Sequence, residues 1–286
     1  MPISTPGPVS VFIPINHYHE GFLRQAVDSV MRQTRTDWRL LIVVHAERAQ
    51  HFSELLRESL ADERVRLIIR TGRLLAGAYN SAMRAAETEF IAPLLGDDLW
   101  SLDAVEVLTD SIRAHPEVDF FHSGRRFIDG AGRSISSEYL PDRPVTVDAF
   151  LDAPPVKHLL CWRVRTGLAC GGVDETLNNH GSDDYDFPWT MLEHGAQFRA
   201  IPKALYLFRD HRDGYRLTTH VPRNVQIETL RRILTKHRVS EERIQARLRK
   251  SRRSYLRQSL FRNEFHRWIL ERLGFDANRG WRESYR

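Results

Sequence analysis

The sequence predicts an α/β fold: a mostly parallel sheet flanked by helices, with a helical extension at the C-terminus. Three observations carry this prediction. Short apolar runs recur at VSVFIPI (9–15), LLIVV (40–44), VRLII (65–69) and EFIAPLL (89–95). Each is followed by a stretch with apolar residues at helical spacing, and apolar strands alternating with helices imply right-handed crossovers and a sheet covered on both faces. From residue 221 the pattern is helical without strands and the charge changes sign. That segment holds 18 Lys+Arg against 7 Asp+Glu, whereas residues 1–220 hold 24 against 30.

The elements follow in order. After the first strand, Phe22, Leu23, Ala26, Val27, Val30 and Met31 mark one face of a helix over 20–33. Further helices are predicted around 53–60, 75–86 and 101–114. Beyond VDFFHS (118–123) the rhythm changes. RFIDGAGRSIS (126–136) reads as a hairpin turning on Asp129-Gly130 and Ala131-Gly132. A proline-punctuated loop over 140–155, a strand near 158–164, a helix over 183–194 and strand-like QFRAI and ALYLF complete the body. The expected layout is a body over 1–220 and a basic helical extension over 221–286. Within the body, a first half (about 9–123) and a second half (about 124–220) are distinguished.

Composition narrows the function classes. No apolar run reaches the length of a membrane-spanning helix. The start, MPISTPGPVS, lacks the basic and apolar segments of a secretory signal. Two cysteines, Cys161 and Cys170, make neither a disulfide framework nor a zinc spacing. A cytoplasmic protein is expected.

FIAPLLGDDLW (90–100) carries the first chemical signal, because an apolar strand ends on two adjacent carboxylates, Asp97 and Asp98. In an open parallel sheet, ligands bind beyond the carboxyl ends of the strands. Paired carboxylates there suit an oxygen-seeking Mg²⁺ or Mn²⁺, which completes its shell with substrate phosphates. The competing reading is a helix cap or a solvated pair.

Neighbouring segments decide between the two. VSVFIPIN, AVDSVMRQT with Ser29 and Gln33, DWRLLIVV, AGAYNSAMRAAETEFIAPLLGDDLW, GGVDETL (171–177), GSDDYDFPWTMLEHG and Arg209-Asp210-His211 stand in the order of a known pattern. Together they resemble the family 2 inverting glycosyltransferases, over about residues 9–213. The resemblance implies a GT-A-like (Rossmann-like) fold, a nucleoside-diphosphate sugar as donor and Mn²⁺ or Mg²⁺ as cofactor. It further implies an acceptor hydroxyl on a glycan, a lipid-linked sugar or a small molecule. It places Pro14 and Asn16 beside the nucleotide, with Arg73 and Asn80 near nucleotide and diphosphate. Asp97 and Asp98 become the D-x-D equivalents, Asp98 and His211 the metal ligands. Asp184 becomes the general base, with Asp183 the alternative. Trp100 and Trp189 are read as core.

The match has gaps. His45 stands where the family has a base-reading aspartate, which leaves the nucleotide open. Tyr79 replaces an arginine near the phosphates, and Leu95 an acid. An inactive relative and a nucleotidyltransferase are the alternatives, the latter disfavoured because PINHYHEG is no glycine-rich phosphate loop. For the basic extension, packing on the body, peripheral contact with anionic lipid on the inner face of the membrane and nucleic-acid binding are ranked in that order.

Overall fold

The computed structural model describes residues 7–177, 182–210 and 222–262, with 269 and 272–273 beyond. The chain forms two compact units, Met1–His220 and Val221–Arg286. In the first, β1 (Val9–Pro14), α1 (Glu20–Met31), β2 (Arg39–Val44), two short helices α2 (Ala49–Leu55) and α3 (Arg57–Leu60), β3 (Val65–Ile69), α4 (Leu74–Ala85) and β4 (Phe90–Pro93) alternate. Then come β5 (Leu99–Trp100), α5 (Ala104–Ala114), β6 (Phe120–Ile128), α6 (Val147–Asp152), β7 (Leu160–Arg163), α7 (Val164–Ala169), α8 (Phe187–Glu193) and β8 (Phe198–Arg209). The second unit holds α9 (Arg223–Lys236) and α10 (Glu241–Arg262).

Among the described residues eight strands form one sheet in the order β3-β2-β1-β4-β7-β6-β8-β5. The pairs β1/β2, β1/β4, β2/β3 and β6/β8 are parallel, while β7 runs against both β4 and β6 and β5 runs against β8. Since side chains alternate across a strand, β1 sends Val9, Val11 and Ile13 to one face and Phe12 to the other. The first face is covered by Leu23, Val27 and Val30 of α1 and Val105 and Leu108 of α5. The second is covered by Tyr79 and Met83 of α4 and Phe187 and Met191 of α8, around a buried Trp162. Each such large side chain, moved out of water, contributes roughly 1.5–3 kcal/mol.

Some elements differ from the sequence expectation. The hairpin at 126–136 is the far end of the nine-residue β6, and its return arm makes only isolated bridges, Ile128 to Ser134 and Arg125 to Tyr139. QFRAI and ALYLF fuse into one strand, whose pairing shifts register at Ser123 and Gly124. The helix over 183–194 opens as a wide π-type turn, Ser182–Asp186. The helix expected at 53–60 is two short ones beginning at Ala49.

Candidate functional site

Strand direction builds the site. The carboxyl ends of β1, β2, β3 and β4 share one rim, as the registers Pro14 to Val43, Val44 to Ile69 and Phe12 to Pro93 require. The strands β6 and β8 run the same way, so Ile128 and Arg209 end there too. Because β7 is reversed, its start and the preceding His158 lie at this same rim.

Asp98 is 1% exposed. Its Oδ1 accepts the Arg209 backbone N–H at 2.7 Å and its Oδ2 accepts the Tyr206 hydroxyl at 2.8 Å. Arg209, wholly buried, donates from Nε to the Asp97 carbonyl at 2.7 Å and from Nη2 to Gln25 at 2.8 Å, and lies over the Phe22 ring. The Asp98 carboxylate therefore ties the β4–β5 turn to β8. Asp97 beside it is half-buried and reaches solvent. The Ser29–Gln33 pair fixes the far side of the turn: Gln33 Nε2 donates to the Ser101 carbonyl, its Oε1 accepts from Val105, and Ser29 Oγ accepts from Trp100.

Among the described residues no three His, Cys, Asp or Glu side chains form a metal cage. Asp97 is the more exposed carboxylate at this turn, and one such carboxylate fits a hard cation that shares its shell with phosphate oxygens and water. His211 lies outside the described residues. The sequence reading placed the cation on Asp98, each of whose oxygens accepts a hydrogen bond and keeps a further lone pair, while Asp97 is the more exposed of the two.

The second acidic group lies across the rim. Asp183 is buried, accepts the Tyr79 hydroxyl at 3.1 Å and has His158 Nε2 at 4.0 Å. Burial, reinforced by the charge of Asp184, pushes its carboxyl up to about 7. His158 is buried and held down to about 4 by loss of solvation, so it is neutral at pH 7. Its ring packs 5.3 Å from that of Tyr206, whose hydroxyl is bound to Asp98. Asp98, Tyr206, His158, Asp183 and Tyr79 thus form one contiguous buried set joining the two acidic turns. Asp184 is the more exposed acid of its pair. The sequence reading missed Tyr206 and His158; their partners are far away in the chain, so no local spacing marks them.

At the ends of β1 and β2, Pro14 is buried, while Asn16 and His45 are exposed. Arg48, which the sequence reading passed over, donates to the Asn16 carbonyl at 2.7 Å and lies over the rings of Tyr18 and Phe52. His45 Nδ1 is 3.6 Å from Glu47. Asn80 is buried: its Nδ2 donates to the Val173 carbonyl and to Glu175, and its Oδ1 accepts from the Val173 backbone N–H. Glu175 also accepts the Arg73 backbone N–H at 2.7 Å. Asn80 and Glu175 therefore pin the Gly171–Leu177 segment onto α4.

The sheet rim thus carries two acidic turns, and the comparisons with known proteins give the family to which the chain belongs. The model of glycosyl transferase family 2 matches residues 10–159, just over half the chain, and the protein belongs to that family. The O-antigen biosynthesis protein RfbC of Myxococcus xanthus is 26% identical over 71% of this chain, which spans only 16% of that longer protein. The Escherichia coli enzyme WfgD, a UDP-Glc:α-D-GlcNAc-diphosphoundecaprenol β-1,3-glucosyltransferase, is 26% identical over 65% of this chain and 66% of its own length. Among solved structures, Staphylococcus aureus TarS 1–349 in complex with UDP-GlcNAc superposes with a TM-score of 0.56 at 14% identity, covering 79% of this chain and 65% of that one. The mannosyltransferase PcManGT of Pyrobaculum calidifontis, in complex with GDP-Man and Mn²⁺, gives 0.55 at 16% identity, covering 86% and 69%. The fold is of the GT-A type.

Proposed function

We propose that the chain transfers a sugar from a nucleoside-diphosphate donor to an acceptor hydroxyl with inversion, aided by Mn²⁺ or Mg²⁺. The observation that carries this reading is the meeting of the two acidic turns at one rim, joined through Tyr206 and His158. Asp184 is the base: it takes the acceptor hydroxyl proton as that oxygen bonds to the anomeric carbon. The bond from that carbon to the diphosphate oxygen breaks on the opposite face, and the nucleoside diphosphate leaves with the electron pair. Asp97 faces the diphosphate and would hold the cation, which would supply positive charge against that growing on the leaving group. Asp98 positions this turn, and Asp183 holds the base-bearing turn through Tyr79. Pro14, Asn16, His45 and Arg48 border the nucleoside, and Arg73 borders the diphosphate. His211 stands as a second ligand proposed from the family pattern alone.

The first half of the body serves the donor and the second the acceptor, a glycan, lipid-linked sugar or small molecule. Among the described residues no helix is long and apolar enough to cross a membrane. For the basic extension the second-ranked reading, contact with anionic lipid, predicts salt-sensitive sedimentation with phosphatidylglycerol vesicles and none with neutral ones. The transfer reading is tested by incubating the protein with a panel of UDP-, GDP-, dTDP- and CDP-sugars and Mn²⁺. Release of one nucleoside diphosphate, with an α-donor yielding a β-configured sugar by NMR, supports it. Retained configuration overturns the inverting mechanism.

A further inference from the structure

A cleft of about 360 Å³ opens beside α8, on the same face of the sheet as Phe187 and Met191. Its walls are His122 of β6, Arg143 and Val145 of the loop before α6, Leu192 of α8, and Gln197 and Phe198 at the start of β8. The size suits a small ligand. Its lining contains an arginine and a histidine and no carboxylate. His122 is completely buried, and among the described residues neither of its ring nitrogens has a hydrogen-bond partner. Buried polar groups are normally paired, and this imidazole stands at the cleft wall with both nitrogens unpaired among the described residues.

The electrostatics agree in sign. Burial and the charge of Lys157 hold His122 down to about 4. Lys157 is itself lowered to about 8 by burial and by Arg125 and Arg143, with Asp184 and Asp142 opposing. Cationic groups are thus gathered closely enough to repel one another, and Arg143 has only a loose, exposed pairing with Asp142 at 3.7 Å. Leu192 in the cleft wall follows Asp184 by eight residues, through the turn Ser182–Asp186 and along α8.

We propose that this cleft binds a phosphate group carried by the sugar acceptor, with Arg143 as its principal charged contact and His122 as a hydrogen-bond donor. The inference rests on the transferase reading and names the chemical class of its acceptor. A phosphate fits better than a carboxylate because its several oxygens match the arginine fork, the imidazole and the nearby lysine together. Val145, Leu192 and Phe198 supply apolar walls for the group the phosphate links.

The test is calorimetric binding to the full chain in EDTA, where a cation-dependent donor site is silent. The probes are inorganic phosphate, N-acetylglucosamine 1-phosphate and methyl N-acetylglucosaminide. The proposal expects the sugar phosphate to bind at least tenfold tighter than either other probe, and Arg143→Gln to weaken it at least tenfold. His122→Gln should weaken it as well, and Asp97→Asn should leave it unchanged. Equal affinity for inorganic phosphate and the sugar phosphate would overturn the acceptor assignment, since a phosphate-ion site would explain it. No binding, or binding indifferent to Arg143→Gln, would overturn the cleft altogether. Nucleotide binding with Mn²⁺, measured on the same protein freed of EDTA, separates the cases: if it persists only this inference falls, and if it too is missing the transferase reading falls.

Discussion

Asp97 and Asp98 are neighbours in the chain with different surroundings, and they should fail differently. Asp98→Ala strands the Tyr206 hydroxyl and the Arg209 backbone N–H in a buried place, at about 1–3 kcal/mol for each unsatisfied group. A loss of stability, read by urea denaturation, is the expected outcome. Asp97→Ala removes a half-exposed carboxylate, so stability should change by less than about 0.5 kcal/mol while metal-dependent nucleotide binding falls. Comparable destabilisation by both would contradict the division of roles. At the second acidic turn, Asp184→Asn should lower turnover by about 10²–10⁴-fold with donor binding intact. Unchanged turnover would remove it as the base. The sequence made both acidic turns visible but not which acid of each pair is buried. That depends on Tyr206, Arg209 and Tyr79, which lie about a hundred residues from the acids they bind.

The segment Gly171–Leu177 shows how an element is held for function. Gly172 has φ +75°, and a Cβ there would overlap the Asn80 side-chain oxygen. Gly172→Ala should therefore strain the backbone and push the segment off α4. Asn80→Ala should release it by removing three hydrogen bonds. In hydrogen exchange, amides over 171–177 should lose protection in both variants while those of β1 and β2 keep theirs. Unaltered protection would show that the segment is held by other contacts. Elements of clear period, β1 to β4 with α1 and α4, were legible in the sequence because one periodicity dominates each. The reversed β7 was not, since a strand's direction in the sheet is set by its neighbours and leaves no local trace. That reversal is what brings His158 to the rim.

At the scale of the whole molecule, buried titrating groups set the pH response. His122 and His158 are held near 4 against an ordinary 6.5, so below pH 6.5 the unfolded chain takes up two protons that the folded chain refuses. Asp183, raised from 3.8 to about 7, works the other way: between those values the folded chain keeps a proton that the unfolded chain has lost. From pH 4 to 6.5 these three groups leave a net excess of about one proton on the unfolded chain, so stability rises by about 1.4 kcal/mol per pH unit. Between 6.5 and 7 the Asp183 contribution alone remains, and stability declines slightly. Asp183→Asn should steepen the acid limb toward two protons and abolish the decline. Urea titrations at pH 4.5, 5.5, 6.5 and 7.5 measure both slopes; equal slopes in the two proteins would place the Asp183 proton elsewhere.

The central claim is that the rim bearing Asp97 is a cation-dependent nucleotide site. Its most direct test is calorimetric binding of UDP, GDP, dTDP and CDP with and without Mn²⁺, repeated on Asp97→Ala. Tight binding of one nucleotide, dependent on Mn²⁺ and lost in the variant, is the predicted result, and it would name the base despite His45. Binding of none of the four, or binding indifferent to both metal and Asp97, would contradict the claim.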